Sequence, residues 1–166
     1  MYLNSETFIR PATAADQHAI LEIIREIFES YDMINDPEND YPDLIDFEKN
    51  YPPGQQELFV MEYRKEVIGC GGVMLDGENV PFLSRIYISS SYPGQGLGQK
   101  LVEFLITEAL QYSNRVYLWT DTRFTKAHKL YEKLGFVSDG RCKPLHDIND
   151  SYEWYYEFKS NRSATP

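Results

Sequence analysis

Three glycines at alternate positions give the first sign of chemistry. They lie in Tyr92-Pro93-Gly94-Gln95-Gly96-Leu97-Gly98-Gln99-Lys100, and without a Cβ their backbone N–H groups can approach a ligand closely. If a helix opens there, its unpaired N–H groups and the positive end of its dipole suit a phosphate. A loop that needs glycine only to turn is the plainer reading of one glycine pair. Three in alternation, after a strand and before a helix, favour phosphate. Tyr131 stands on an apolar stripe between Leu130 and Leu134, where a core tyrosine is the plainer reading. A second candidate is the segment 31–56, in which Asp32, Asp36, Glu38, Asp40, Asp43, Asp46 and Glu48 face Lys49 alone. It reads either as a solvated connection or as a lid that offers carboxylates, Asp32, Asp36 and Asp40 first, to a cationic substrate.

The elements that must position these groups follow from hydrophobic periodicity. Residues 80–88 alternate, with Val80, Phe82, Ser84, Ile86 and Ile88 on one face and Leu83, Arg85 and Tyr87 on the other, as in a half-buried strand. Leu97, Leu101, Val102, Leu105, Ile106, Ala109 and Leu110 then form one side of a helix. Earlier, residues 7–10 read as a strand, Thr13 to Asp16 as a capping box, and Ile20, Leu21, Ile24, Ile27 and Phe28 as the stripe of a helix ending near Ser30. His18, near its start, reads as exposed. The prolines of 31–56 rule out one long helix there, though 44–50 can form a short one. Residues 58–63 and 67–75 form a hairpin, whose second strand is thinned by Gly69, Gly71 and Gly72, the mark of a bulge or a close neighbour. Residues 116–120 are a strand, Asp121 or Thr122 can cap the next helix, and Gly135 ends it. Residues 136–139 and 151–159 read as closing strands. The whole is an α/β sheet of mixed direction.

Composition narrows the class. The chain has 166 residues, 42% of them hydrophobic, which suits one folded domain over 1–160 and a flexible tail at 161–166. The net charge of -10 argues against nucleic acid and against anionic membranes, and it suits a cationic small molecule or peptide. No apolar run is long enough to span a bilayer, and the first residues lack a signal peptide's basic and apolar regions, so a cytoplasmic protein is expected. Cys70 and Cys142 are then expected to be reduced and buried; no CxxC or Cys/His cluster offers a zinc site, and no metal is expected.

The element order, the glycines and Ala127, Tyr131, Glu132, Leu134, Gly135 and Phe136 together resemble the GNAT acetyltransferase superfamily, over nearly the whole chain from Phe8 to Phe158. The resemblance implies a mostly antiparallel central sheet with helices on both faces, and acetyl-CoA as co-substrate. It places the backbone of Ile86, Tyr87 and Ile88 against the pantetheine amides. The N–H groups of Gly94, Gln95, Gly96, Leu97, Gly98 and Gln99 would hold the pyrophosphate. Tyr131 aligns with the tyrosine that protonates the departing CoA thiolate. The implied reaction is acetyl transfer to a primary amine (a polyamine, an amino sugar or a basic peptide) by direct attack in a ternary complex. A non-catalytic acyl-CoA sensor on the same fold is the alternative. Three positions depart from the family pattern: Pro93 replaces the first Arg or Gln of the loop, Phe124 replaces a CoA-contacting Asn, and residues 80–88 hold no carboxylate. An amine with a pKa of about 10.4 must lose a proton before attack, and Asp121, His146 or a water relay are the candidate bases. The glycine spacing and the five residues between Ile88 and Gly94 exclude a dinucleotide fingerprint, and Gln99-Lys100 excludes a Walker A loop. The aromatic last strand offers a face for a homodimer.

Overall fold

The computed structural model describes residues 6–52, 54 and 57–161. Its strands are β1 (Thr7–Pro11), β2 (Leu58–Tyr63), β3 (Glu66–Leu75), β4 (Pro81–Ile88), β5 (Arg115–Asp121), β6 (Cys142–Pro144) and β7 (Tyr152–Lys159). The helices are α1 (Gln17–Ser30), α2 (Pro37–Asp40), α3 (Pro42–Ile45), α4 (Phe47–Asn50), α5 (Leu97–Ala109) and α6 (Thr125–Lys133). The strands pair in the order β1-β2-β3-β4-β5-β7-β6, and only β4 and β5 run parallel. This is the mixed, mostly antiparallel sheet expected. The parallel pair is forced by the α5 crossover, since parallel neighbours cannot be joined by a tight turn. Among the described residues no helix is long and apolar enough to cross a membrane.

Two cores cover the two faces. On one, α5 lays Leu101, Leu105 and Ala109 against Phe59, Val73 and Leu118, and Tyr131 of α6 joins them. On the other, Ile20, Ile24 and Phe28 of α1 pack on Val60 and Cys70. The thin strand β3 explains how α5 comes so close: a Cβ on Gly71 would stand 2.5 Å from Leu105 Cδ1. The capping box forms as read, with Asp16 accepting from Thr13 N and Oγ1. The same carboxylate receives a two-pronged guanidinium from Arg10, which ties β1 to the start of α1.

The segment after α1 corrects one reading. It is no solvated connection, because Tyr41, Leu44, Phe47 and Tyr51 are all buried against the α1 core. Pro37 and Pro42 do not break helices here; each opens one, at the first-turn position where proline has no N–H to lose. Residues 53, 55 and 56, at the end of this segment, lie outside the described residues, as do 162–166 of the expected tail.

Other corrections are local. Residues 136–139 make a single bridge, Val137 to Glu157, rather than a strand; the edge strand is β6, beyond the Gly140 turn. The last strand is not an edge at all. It lies between β5 and β6 with Tyr155 and Tyr156 buried, so the exposed aromatic edge that suggested a homodimer is absent there. Cys142 is exposed, whereas Cys70 is buried, and both are free thiols. Asp121 does not cap α6, which starts at Thr125.

Candidate active site

The parallel pair β4–β5 is short. Phe82 pairs with Tyr117 and Leu83 with Leu118, and there the ladder ends. Both strands continue, so they splay and open a cleft of about 730 Å³. Its walls come from Ser84–Tyr87, from Thr120 and Asp121, and from Tyr131 of α6. The far side is closed by Asp36, Asp40 and Tyr41 of the short-helix segment and by residues 145–148 with Glu153.

A bulge at the mouth of this splay overturns the expected alternation of β4. Cys70 faces Tyr87 but Gly72 faces Ser84, so three steps of β4 oppose two of β3. Leu83 therefore shares the α5 face with Ile86 and Ile88, while Tyr87 points to the α1 core. Arg85 takes up the extra residue at φ +55°, a left-handed conformation that costs a side chain about 1–3 kcal/mol. Its guanidinium is fixed by Asp43 at 2.5 Å and lies over the Tyr41 ring. Arg85 thus ties the bulge to the short-helix wall, a role its place in the sequence did not signal.

The glycine loop follows the C-terminal end of β4, beyond the splay. Gly94 and Gly96 have φ of +74° and +66°, and a Cβ on either would meet nothing within 4 Å. They are glycine for conformation, and the space in front of them is open. Gly96 is the N-cap of α5 and offers no side chain to its amides. The helix ladder begins with Lys100 N–H on Gly96 O, which leaves the N–H groups of Leu97, Gly98 and Gln99 ahead of the first rung. The loop is anchored upstream by Tyr92, whose hydroxyl donates to Glu66. The side chain of Gln99 is taken: it donates to Glu103 and accepts from Lys133 of α6. Uncapped amides beside Lys100 and Lys133 fit a pyrophosphate.

Of the residues singled out from sequence, Ile86, Tyr87, Tyr131, Asp36, Asp40, Asp121 and His146 line the cleft together. Ile88 lies one residue past its lining, the glycine loop flanks it, and exposed Asp32 stays outside. Tyr131 is 5% exposed, and burial pushes its phenol above the usual range. Phe124, in place of the family's Asn, packs against the Tyr31 ring with centroids 4.9 Å apart and joins the wall. Asp121 is held by Arg123 through its N–H, Nε and Nη2 at 2.8, 2.9 and 2.6 Å, and those bonds keep its carboxyl low despite burial. A carboxylate so fully engaged is a poor base. Glu153 and Asp147 were missed, because nothing local marks them; only the fold brings residues after 140 opposite Asp40.

The lining holds five carboxylates, Asp36, Asp40, Asp121, Asp147 and Glu153, against the cations Arg85 and Lys143. One oxygen of Asp40 is buried without a partner among the described residues. Burial, with Asp147 and Asp36 nearby, raises its carboxyl. Leu145 and Ile148 stand exposed at the mouth.

Residues 18–136 match the acetyltransferase (GNAT) family. This chain is a member of the GNAT family. It is 31% identical to the Escherichia coli K12 protein named uncharacterized N-acetyltransferase YjgM, over 77% of this chain and 80% of that one. It is 34% identical to the N-acetylaspartate synthetase of Xenopus tropicalis over 59% of this chain, which spans only 37% of that protein. Among solved structures it resembles yncA of Salmonella typhimurium, determined with its cofactor acetyl-CoA, at TM-score 0.70 and 22% identity over 98% of both chains. It also resembles a GNAT acetyltransferase of Staphylococcus aureus Mu50 at TM-score 0.75 and 22% identity, over 92% of this chain and 98% of that one. As a GNAT-family protein, it is an acetyl-CoA-dependent acetyltransferase, and the non-catalytic sensor reading is set aside.

Proposed function

We propose that this GNAT acetyltransferase moves the acetyl group of acetyl-CoA to a primary amine on a polycationic acceptor with an apolar stem, a polyamine ahead of a basic peptide or an amino sugar. One observation carries the reading: the cleft past the β4–β5 splay is lined by five carboxylates and two cations. Both cations already have acidic partners, Arg85 in Asp43 and Lys143 in Glu153. The carboxylates suit ammonium groups, and the apolar side chains Leu145, Ile148 and Phe28 suit the methylenes between them. Asp36 and Asp40 are the first acceptor contacts in this reading, joined by Asp147; Asp32 is not among them.

The remaining roles follow from position. The splayed edge of Ile86 to Ile88 takes the pantetheine amides, and the amides from Gly94 to Gln99 take the pyrophosphate. Tyr131 holds a proton for the departing thiolate. Its buried phenol stays protonated across neutral pH, and the same dry surroundings raise the proton affinity of a thiolate beside it, as burial raises Cys70 to about 12. Attack is direct. Cys70 is buried as a neutral thiol and Cys142 lies outside the cleft, so neither serves as an acyl carrier.

The test is release of CoA thiol with spermidine, a lysine-rich peptide, glucosamine and L-aspartate at saturating acetyl-CoA. Spermidine should have the highest kcat/KM. L-aspartate, the acceptor in the name of the Xenopus relative, would present a carboxylate to Arg85 and Lys143; if it is the best acceptor, the polycation reading is wrong.

A further inference from the structure

We infer that Glu153 is the general base that takes a proton from the acceptor's ammonium, and that Lys143 sets the pH at which it does so. The inference rests on amine acetylation in this cleft. Glu153 lies on β7, paired on one side with Asp121 of β5 and on the other with Lys143 of β6. Hydrogen bonding on both sides frames the backbone at Glu153, whereas Asp40 ends a four-residue helix. The side chain of Glu153 is 19% exposed, enough to reach water at its edge.

Its partners distinguish it from Asp121, Asp147 and Asp36. Asp121 is saturated by Arg123, and Asp147 accepts the Ser151 N–H at 2.7 Å. Asp36 accepts from Asn39. Among the described residues Glu153 meets only the Lys143 ammonium, at 3.6 Å, and that ammonium is shared with the Trp119 ring 4.1 Å away. The charged groups around Glu153 are Lys143 from β6, Asp121 from β5 and Arg85 from β4, with His146 and Asp147 along the same cleft. Burial and Asp121 raise its carboxyl, while Lys143 and Arg85 pull it down. A base works best when its pKa approaches the operating pH.

The acceptor ammonium gives one proton to a Glu153 oxygen, and the freed lone pair bonds the acetyl carbon. The C–S bond breaks, and the leaving sulfur takes the Tyr131 proton. The phenol regains its proton from the nitrogen, and Glu153 passes its own to water.

The experiment is the pH dependence of kcat/KM for spermidine in wild type, Glu153→Gln, Lys143→Met and Asp40→Asn. Glu153→Gln should lower kcat by about 100-fold and abolish the acidic limb, with the KM for acetyl-CoA unchanged. Lys143→Met removes a cation that favours the carboxylate, so the limb should move to higher pH. Asp40→Asn should raise the KM for spermidine and keep the limb. A limb that survives Glu153→Gln, or that vanishes in Asp40→Asn, overturns the assignment. If no amine of the panel is acetylated, the acceptor reading fails by itself, and a 13C NMR titration of the Glu153 carboxyl then decides. A midpoint above the ordinary value of about 4.3, rising further in Lys143→Met, supports the base. An ordinary midpoint that ignores Lys143→Met refutes it.

Discussion

The two ends of the cleft are built by different means. The end assigned to acetyl-CoA is backbone: a splayed strand edge, two glycines at positive φ and the uncapped amides of α5. The end proposed for the acceptor is side chain, drawn from segments as far apart in sequence as Ile34 and Asn149. A backbone site recognises what every substrate pair shares, the phosphates and amides of one co-substrate. A side-chain site can change residue by residue, and this one is acidic. Tyr131 lines the cleft, and in the proposed reaction it supplies the thiolate's proton, so removing its hydroxyl should give the largest effect. Tyr131→Phe keeps the ring that packs against Phe136 and Tyr156 and removes one donor. It should lower kcat by about 10²–10⁴-fold while acetyl-CoA still raises the Tm as in wild type. An unchanged kcat would return Tyr131 to the core and leave the backbone end without an acid.

Gly96→Val tests the backbone end alone. A β-branched residue at φ +66° is strained by about 1–2 kcal/mol even though its Cβ meets no neighbour. The loop should shift rather than the fold, and the amides ahead of Lys100 should lose their aim. Each hydrogen bond to a charged phosphate contributes about 1.5–3 kcal/mol, so losing one or two weakens acetyl-CoA by roughly 100-fold. The readout is the stabilisation by acetyl-CoA, about 2.7 kcal/mol at a hundred times Kd for wild type and about 0.4 kcal/mol for the variant at the same concentration. Unaltered stabilisation would mean that the phosphates bind elsewhere.

The same contrast explains what could be read in the sequence. Gly94, Gly96 and Gly98 are visible because a backbone site needs one residue type at fixed spacing next to a strand and a helix. The α1, α5 and α6 stripes are visible for the same local reason. The bulge was not, because an extra residue in β4 leaves an alternation that looks intact from Val80 to Ile88; the positive φ of a non-glycine, Arg85, carries no sequence mark. Tyr41, Leu44, Phe47 and Tyr51 do stand at helical spacing, but the prolines and acids between them masked it. Glu153 and Lys143 gain their meaning only from the β5–β7–β6 register, a long-range fact. Asp121 misled because a carboxylate at a strand end looks available until Arg123 folds back onto it.

The smallest effect should come from the clasp that closes the acceptor end. The Asn149 amide donates to Ile34 O at 2.8 Å and accepts the Ile34 N–H at 2.7 Å, as one strand residue would for another. The two loops it joins turn at Asp32, His146 and Asp150, all at positive φ. Exposed hydrogen bonds contribute about 0.5–1.5 kcal/mol each, and water replaces part of what Asn149→Ala removes. The global fold, which rests on the two cores, should therefore be unmoved. The clasp joins the two loops that close the far side of the cleft, so its loss should raise the acceptor's KM a few-fold and leave that of acetyl-CoA unchanged. Hydrogen exchange gives the direct reading at one atom: the Ile34 amide should lose its protection while amides in β4 and α5 keep theirs. If the Ile34 amide exchanges equally fast in both proteins, the clasp is already open in solution and the acceptor end is held by the short helices alone. If acetyl-CoA KM rises with that of the acceptor, the two ends are mechanically one, and their division into a backbone half and a side-chain half describes construction but not behaviour.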